Sequence, residues 1–99
     1  MNMQQLTVFA SPDLEHQVVS ALDRAGAEGY FRAAGASANK FNPEGEVPRV
    51  MTWAAVMFVV PAAPNEVIKA IVKELEEYAG ACEVEPCLRM VVTAVQEAS

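Results

Sequence analysis

The chain has 99 residues, a size that fits one compact domain and excludes a multidomain enzyme or a capped repeat array. Its 7 basic and 13 acidic residues leave a net charge of -6, and the basic residues stand singly, which argues against nucleic acid or an anionic bilayer surface as the partner. Hydrophobic residues make up 53% and charged ones 20%, so the chain carries more apolar surface than one small core consumes, and the excess points to self-association.

In chain order, Met1 to Gln5 has neither the basic n-region nor the apolar stretch of a signal peptide. A cytoplasmic location is expected. Leu6 to Ala10 is rich in strand formers, and Ser11-Pro12-Asp13 then supplies a helix N-cap, a proline at the first helical position and an early acid. Leu14, Val18, Leu22 and Ala25 recur at helical spacing, with Gly26 placed to end the helix in a left-handed cap. Glu28 to Ala36 reads as a second strand, weakly specified because Ala33, Ala34, Gly35 and Ala36 offer little to pack. Ser37 to Pro48 is the most polar and turn-rich stretch and reads as an exposed loop, long for a hairpin and so a place for a ligand or partner contact. Arg49 to Val60 is a long strand ended by Pro61 and Pro64. Its apolar run, Trp53 to Val60, is far short of the ~20 residues that span a bilayer. Asn65 is placed to cap a second helix whose stripe is Val67, Ile68, Ile71, Val72 and Leu75, with Gly80 closing it. Leu88 to Val95 is the last strand.

The order β-α-β-loop-β-α-β predicts an α+β, ferredoxin-like βαββαβ domain: a four-stranded antiparallel sheet with two helices on one face. The other face of such a sheet normally meets water and alternates with polar residues. Here both faces are apolar: Val56 and Phe58 point one way from the third strand, Met57 and Val59 the other, and in the last strand Val91 and Val95 oppose Met90 and Val92. Packing of sheets in a symmetric oligomer accounts for this.

Three features carry a resemblance to the PII-like signalling family, relatives of the nitrogen-regulatory PII proteins. They are the element order, the long loop at the position of the family's T-loop, and Phe58-Val59-Val60-Pro61 leading into Val67-Ile68-Lys69-Ala70-Ile71. The resemblance implies a single 1–99 domain with a T-loop-like segment at about 37–49, assembled as a homotrimer, with a small-molecule effector site in each inter-subunit cleft. It implies an adenine nucleotide (AMP, ADP or ATP), with bicarbonate as a further candidate, held by Gly35, Ala36 and Ser37, with Lys40 and Arg89 on the anionic groups. A planar Arg suits phosphate or carboxylate because it offers two parallel donors. Phe41, Asn42, Glu44, Glu46 and Arg49 would form the loop that engages a transporter or enzyme partner. The chain departs from the family in the segment Gly80 to Cys87, where Glu83 and Glu85 replace a glycine-rich loop and oppose a triphosphate.

Cys82 and Cys87 are the only cysteines. Two ordinary, partly buried thiols are the plainest reading, a disulfide or a metal site the others; a CutA-like or efflux-associated metal-binding protein is the alternative function. His16 reads as a surface histidine, Ser11 as a cap and not a nucleophile, Trp53 as core or interface, and Arg32 and Arg49 as solvated strand-end charges. No nucleophile-base-acid order, phosphate loop or dinucleotide fingerprint occurs, so an enzyme is not expected.

Overall fold

A computed structural model of the chain describes residues 2–41, 50–79 and 87–96. Strand β1 (Met3–Ala10) leads through a 3-10 turn over Pro12–Leu14 into helix α1 (Glu15–Arg24). Strands β2 (Phe31–Phe41) and β3 (Val50–Pro64), helix α2 (Asn65–Leu75) and strand β4 (Leu88–Val95) follow. The sheet order is β2-β3-β1-β4 with every neighbour antiparallel, the ferredoxin-like arrangement expected from the sequence.

Alternation decides which side chains enter the core. Leu6, Val8 and Ala10 of β1 lie beside Val56, Phe58 and Val60 of β3, and onto this face pack Val18 and Leu22 of α1 with Ile68, Ile71 and Leu75 of α2. Phe58 is 1% exposed and meets the Tyr30 ring at 5.8 Å between centroids, a tilted contact that suits the charge distribution of aromatic rings. At α1's end Gly26 has φ +90, its N–H donates to Asp23 O and that of Ala27 to Leu22 O, a pair that closes the last helical carbonyls and requires the left-handed backbone glycine adopts.

Several boundaries differ from the sequence reading. Pro12 opens a 3-10 turn instead of the α-helix, which begins at Glu15, and Ser11 makes no side-chain cap bond. Asn65 is the first residue of α2 rather than its cap: its N–H donates to Asn2 O at 3.3 Å, which draws its backbone onto the start of β1. Strand β3 runs through Pro61 to Pro64 because Pro61 and Ala62 together oppose Gln5 in a bulge, where a missing N–H costs no ladder bond. Strand β2 starts at Phe31 and continues to Phe41, so residues 37–41, expected in the loop, pair with β3. The remainder of the expected loop and Gly80 lie outside the described residues. No helix among the described residues is long and apolar enough to cross a membrane.

Replacing Phe58 by Ala should cost about 3–5 kcal/mol of unfolding free energy, the usual loss for a fully buried aromatic. Phe31→Ala, at a ring that is 69% exposed in one protomer, should change the monomer by roughly 0.5 kcal/mol or less. Urea unfolding of both variants at low protein concentration checks the difference.

Candidate functional site

The lengths of the strands create a notch at one end of the sheet. Strand β1 stops at Ala10, opposite Val56, while β3 extends back to Val50 and pairs with β2 alone beyond that point. The resulting two-stranded ribbon, Ala36–Phe41 against Val50–Ala55, projects past the sheet. Its inner edge, the ends of β1 and the head of β4 bound a concave corner.

The ribbon begins at a bulge. Ala33 pairs with Met57 and Ala36 with Ala55, so β2 carries one residue more than β3 across this step, and Gly35 sits there at φ +77. Nothing lies within 4 Å of where a Cβ would be, so the constraint is the left-handed backbone and not space. Past the bulge, Asn39 Nδ2 donates to Ser37 Oγ at 3.0 Å, and Thr52 Oγ1 donates to Asn39 Oδ1 at 2.8 Å across the strands. Ser37 therefore accepts within the ribbon while its own hydroxyl proton can still be offered to a ligand. Lys40 pairs in register with Met51 and is exposed, and Phe41 at the ribbon's end is 80% exposed.

At the other side of the corner, Ser11 and Cys87 exchange two hydrogen bonds. Ser11 N–H donates to Cys87 O at 2.9 Å, and Cys87 N–H donates to Ser11 Oγ at 3.0 Å. Ser11 is 1% exposed. The hydroxyl that the local pattern assigns to a helix cap thus serves a residue far along the chain. Cys87 is the described non-glycine residue with positive φ, at 56, a conformation that costs on the order of 1 kcal/mol and that the surrounding bonds sustain.

Cys87 is disulfide-bonded, which corrects for this residue the expectation of an ordinary thiol; spacing in sequence does not encode the three-dimensional approach that a disulfide needs. Its Sγ, 3.4 Å from the Tyr78 carbonyl oxygen, makes a packing contact there because an oxidised sulfur has no proton to give. In that state it also has no thiolate for a metal. Cys82, the other member of the metal alternative, lies outside the described residues, and those residues contain no group of three or more metal-holding side chains.

Arg89 follows on β4, exposed, on the sheet face away from the helices and in register with Phe9. Gly35 and Arg89 are on opposite edge strands, three strand spacings or about 14 Å apart across the sheet, while Lys40, in register with Met51, stands six strand steps or about 20 Å beyond the Met57 row that Arg89 shares. The fold carries Gly35, Ala36, Ser37 and Lys40 in turn along β2, with Ser37 on the ribbon face opposite Lys40, and sets Arg89 across the notch from the glycine end. Asn42, Glu44, Glu46 and Arg49 lie outside the described residues. His16 is exposed on α1 and Trp53 is half-buried opposite Ala38. Arg32 bonds Glu15 through two guanidinium nitrogens, Nη2 donating to Oε1 at 2.9 Å, which ties β2 to α1. That hydrogen bond, with the guanidinium's charge, holds the Glu15 carboxyl below its ordinary pKa.

Of two further surfaces, the sequence pointed to the second, the apolar sheet face, but not to the first. A cavity of about 500 Å³ lies at the opposite end of β1, between the Gly26–Gly29 segment and the Val60–Pro64 end of β3, with Met3 and Val67 on its walls. Its lining is mostly small and apolar, which is why no polar motif announced it. The helix-free face of the sheet exposes Phe31, Phe9 (36%) and Val91 (52%) around half-buried Met57 and Val59.

No protein-family model matches the sequence, and no curated protein does. Solved structures do. CPII, a nitrogen regulatory PII-like protein from Thiomonas intermedia K12 bound to ADP, AMP and bicarbonate, superposes with a TM-score of 0.74 at 19% identity, covering 100% of this chain and 96% of that one. The chain has the PII-like fold. GlnK of B. subtilis in its ATP complex gives a TM-score of 0.74 at 6% identity over 96% of this chain and 84% of that one. CutA1 from Oryza sativa, whose fold matches the metal-handling alternative, gives a lower TM-score, 0.68, at 9% identity over 100% of this chain and 84% of that one.

Two outcomes test this geometry. Ser11→Ala leaves the buried Cys87 N–H without its acceptor and should cost about 1–3 kcal/mol, with amide exchange at Cys87 and Leu88 accelerating more than in the helices. Because Glu15 titrates below its ordinary value in the folded state, its bond with Arg32 stabilises the protein at and above the unfolded carboxyl's pKa and is lost as pH falls through the folded one. Glu15→Gln should therefore be less stable than the parent at neutral pH and converge with it in acid, as read from urea midpoints across pH.

Proposed function

We propose that this protein is a PII-like regulator that binds a small anionic metabolite, an adenine nucleotide with or without bicarbonate, in clefts between the subunits of a homotrimer. The observation that carries this reading is the notch. A bulged glycine strand end stands on one side of it and a guanidinium on the other, in a fold shared over its whole length with a protein bound to ADP, AMP and bicarbonate.

Gly35, Ala36 and Ser37 would cradle the ligand through their backbone, and Lys40 and Arg89, on one face of the sheet, would neutralise its phosphate or carboxylate groups. The notch and the apolar 500 Å³ cavity stand at opposite ends of β1, about 24 Å apart for seven steps of strand. They could share one ligand only across a boundary between protomers, with the cavity of one copy receiving an uncharged ring whose charged end lies in the notch of the next. The apolar helix-free face supplies the surface for such a boundary, since a closed ring removes it from water in every copy at once.

Binding would do work through the segment from about 37 to 49. Ligand contacts at the ribbon offset the entropy of ordering the residues beyond it, so Phe41, Asn42, Glu44, Glu46 and Arg49 would present one surface to a partner protein with ligand and another without. The partner is a transporter or enzyme in the cytoplasm, and the protein's own role is binding and not catalysis.

Calorimetric titration of AMP, ADP and ATP, each with and without bicarbonate, tests the reading. At least one nucleotide should bind, and Arg89→Ala and Lys40→Ala should each weaken it by about tenfold or more while light scattering returns an unchanged trimer mass. Phe9→Glu should dissociate the trimer. Failure of every nucleotide, with heat evolved only on adding copper or zinc, would replace this reading by the CutA-like one.

A further inference from the structure

The segment of residues 25–30 that joins α1 to β2 has the apolar cavity on one side and a second, separate cavity on the other. The second has a volume of about 330 Å³. Helix α1 presents His16, Ser20 and Asp23 to it at spacings of four and three, which place them on one helix face. Glu28 and Tyr30, both exposed, border its open side from the connecting segment.

Charge defines what this cavity accepts. The side chains of Asp23 and Glu28 have no hydrogen-bond or ion-pair partner among the described residues, while the two arginines near them in the fold are committed elsewhere, Arg24 to Glu74 and Arg32 to Glu15. An anion would meet two carboxylates in a chain of net charge -6. A bare metal ion would lack a ligand set, since no group of three or more His, Cys, Asp or Glu is assembled among the described residues. An organic cation fits both halves of the lining. Its charge faces the carboxylates and the Tyr30 ring, and its carbon chain lies along Val19 and Leu22.

We propose that this cavity is a binding site for a small organic cation, a compound with an ammonium or guanidinium group. At ~30 Å³ for each water-sized group it holds on the order of ten heavy atoms. The site lies within one chain and does not depend on the nucleotide reading. Ala27, Glu28 and Gly29 line both cavities, so an occupant here touches residues that also wall the larger one.

Putrescine and agmatine are the probes, titrated calorimetrically into the full chain at low salt. At least one should bind saturably, one per chain, and amide shift changes in a nitrogen-15 spectrum should concentrate in residues 16–30. The double variant Asp23→Asn, Glu28→Gln should weaken binding by about tenfold or more. The double variant Glu76→Gln, Glu77→Gln, which removes the same charge from an exposed stretch elsewhere, should bind as the parent does. The proposal is overturned if neither probe saturates, if the first variant binds unchanged, if the second loses as much as the first, or if neutral 1,4-butanediol binds as well as putrescine.

Discussion

The exchange of two hydrogen bonds between Ser11 and Cys87 sets the plan of the end of this molecule that carries the candidate site. Ser11 stands where β1 gives way to Pro12, and Cys87 stands immediately before β4, so the pair fixes both the last row of the central sheet and the point at which β4 joins it. Strand β3 does not end there. It continues to Val50 with β2 as its one partner, and the unequal lengths leave a corner with a ribbon on one side and the head of β4 on the other. A buried donor and acceptor that satisfy each other inside a protein resist rearrangement because the alternative is an unpaired polar group away from water. The corner therefore has one rigid wall and one built from a projecting hairpin.

The two faces of the sheet play different parts. Toward the helices, Leu6, Val8, Phe58, Ile68, Ile71 and Leu75 form a closed core within the single chain. Away from them, Phe9, Phe31 and Val91 remain exposed beside Met57 and Val59. Burying this second apolar face against further copies, as the proposed trimer would, removes it from water and would place the ends of neighbouring sheets side by side. In the proposed reading oligomerisation and ligand binding are one design problem, since a site divided between protomers would exist only after assembly.

Element order, the core face and the end of the first helix at Gly26 were legible in the sequence, because each depends on spacing along one segment. What was not legible depended on contacts distant in sequence. Ser11-Pro12-Asp13 has the local signature of a helix start, yet the Ser11 hydroxyl is taken by a residue 76 positions away. The Ala33–Ala38 stretch carries no side-chain signal of its own, and its extension as strand follows from the β3 residues it pairs with and from the bond between Asn39 and Thr52. Pro61 marks a break in most strands, and only the bulge against Gln5 shows why this one continues. At the candidate site, the glycine strand end and Arg89 were placed by the resemblance to the PII-like family, whereas the cavity between the Gly26–Gly29 segment and the end of β3 is lined largely by small apolar residues that form no motif.

The bulge at Gly35 also sets a parity. Before it, the odd-numbered residues Phe31 and Ala33 share the helix-free face with Val59 and Met57; after it, the even-numbered Ala36, Ala38 and Lys40 lie on that face with Ala55, Trp53 and Met51. One inserted residue therefore exchanges every side chain of the outer β2 segment between the two faces of the ribbon, with Ser37, Asn39 and Phe41 on the other side. Lys40 lies on the same face as Arg89 through this odd count and through no contact of its own. The length of chain between Ala33 and Ala36 thus decides which face of the ribbon the lysine occupies, and a relative of equal composition without the extra residue would present its lysine to the opposite side.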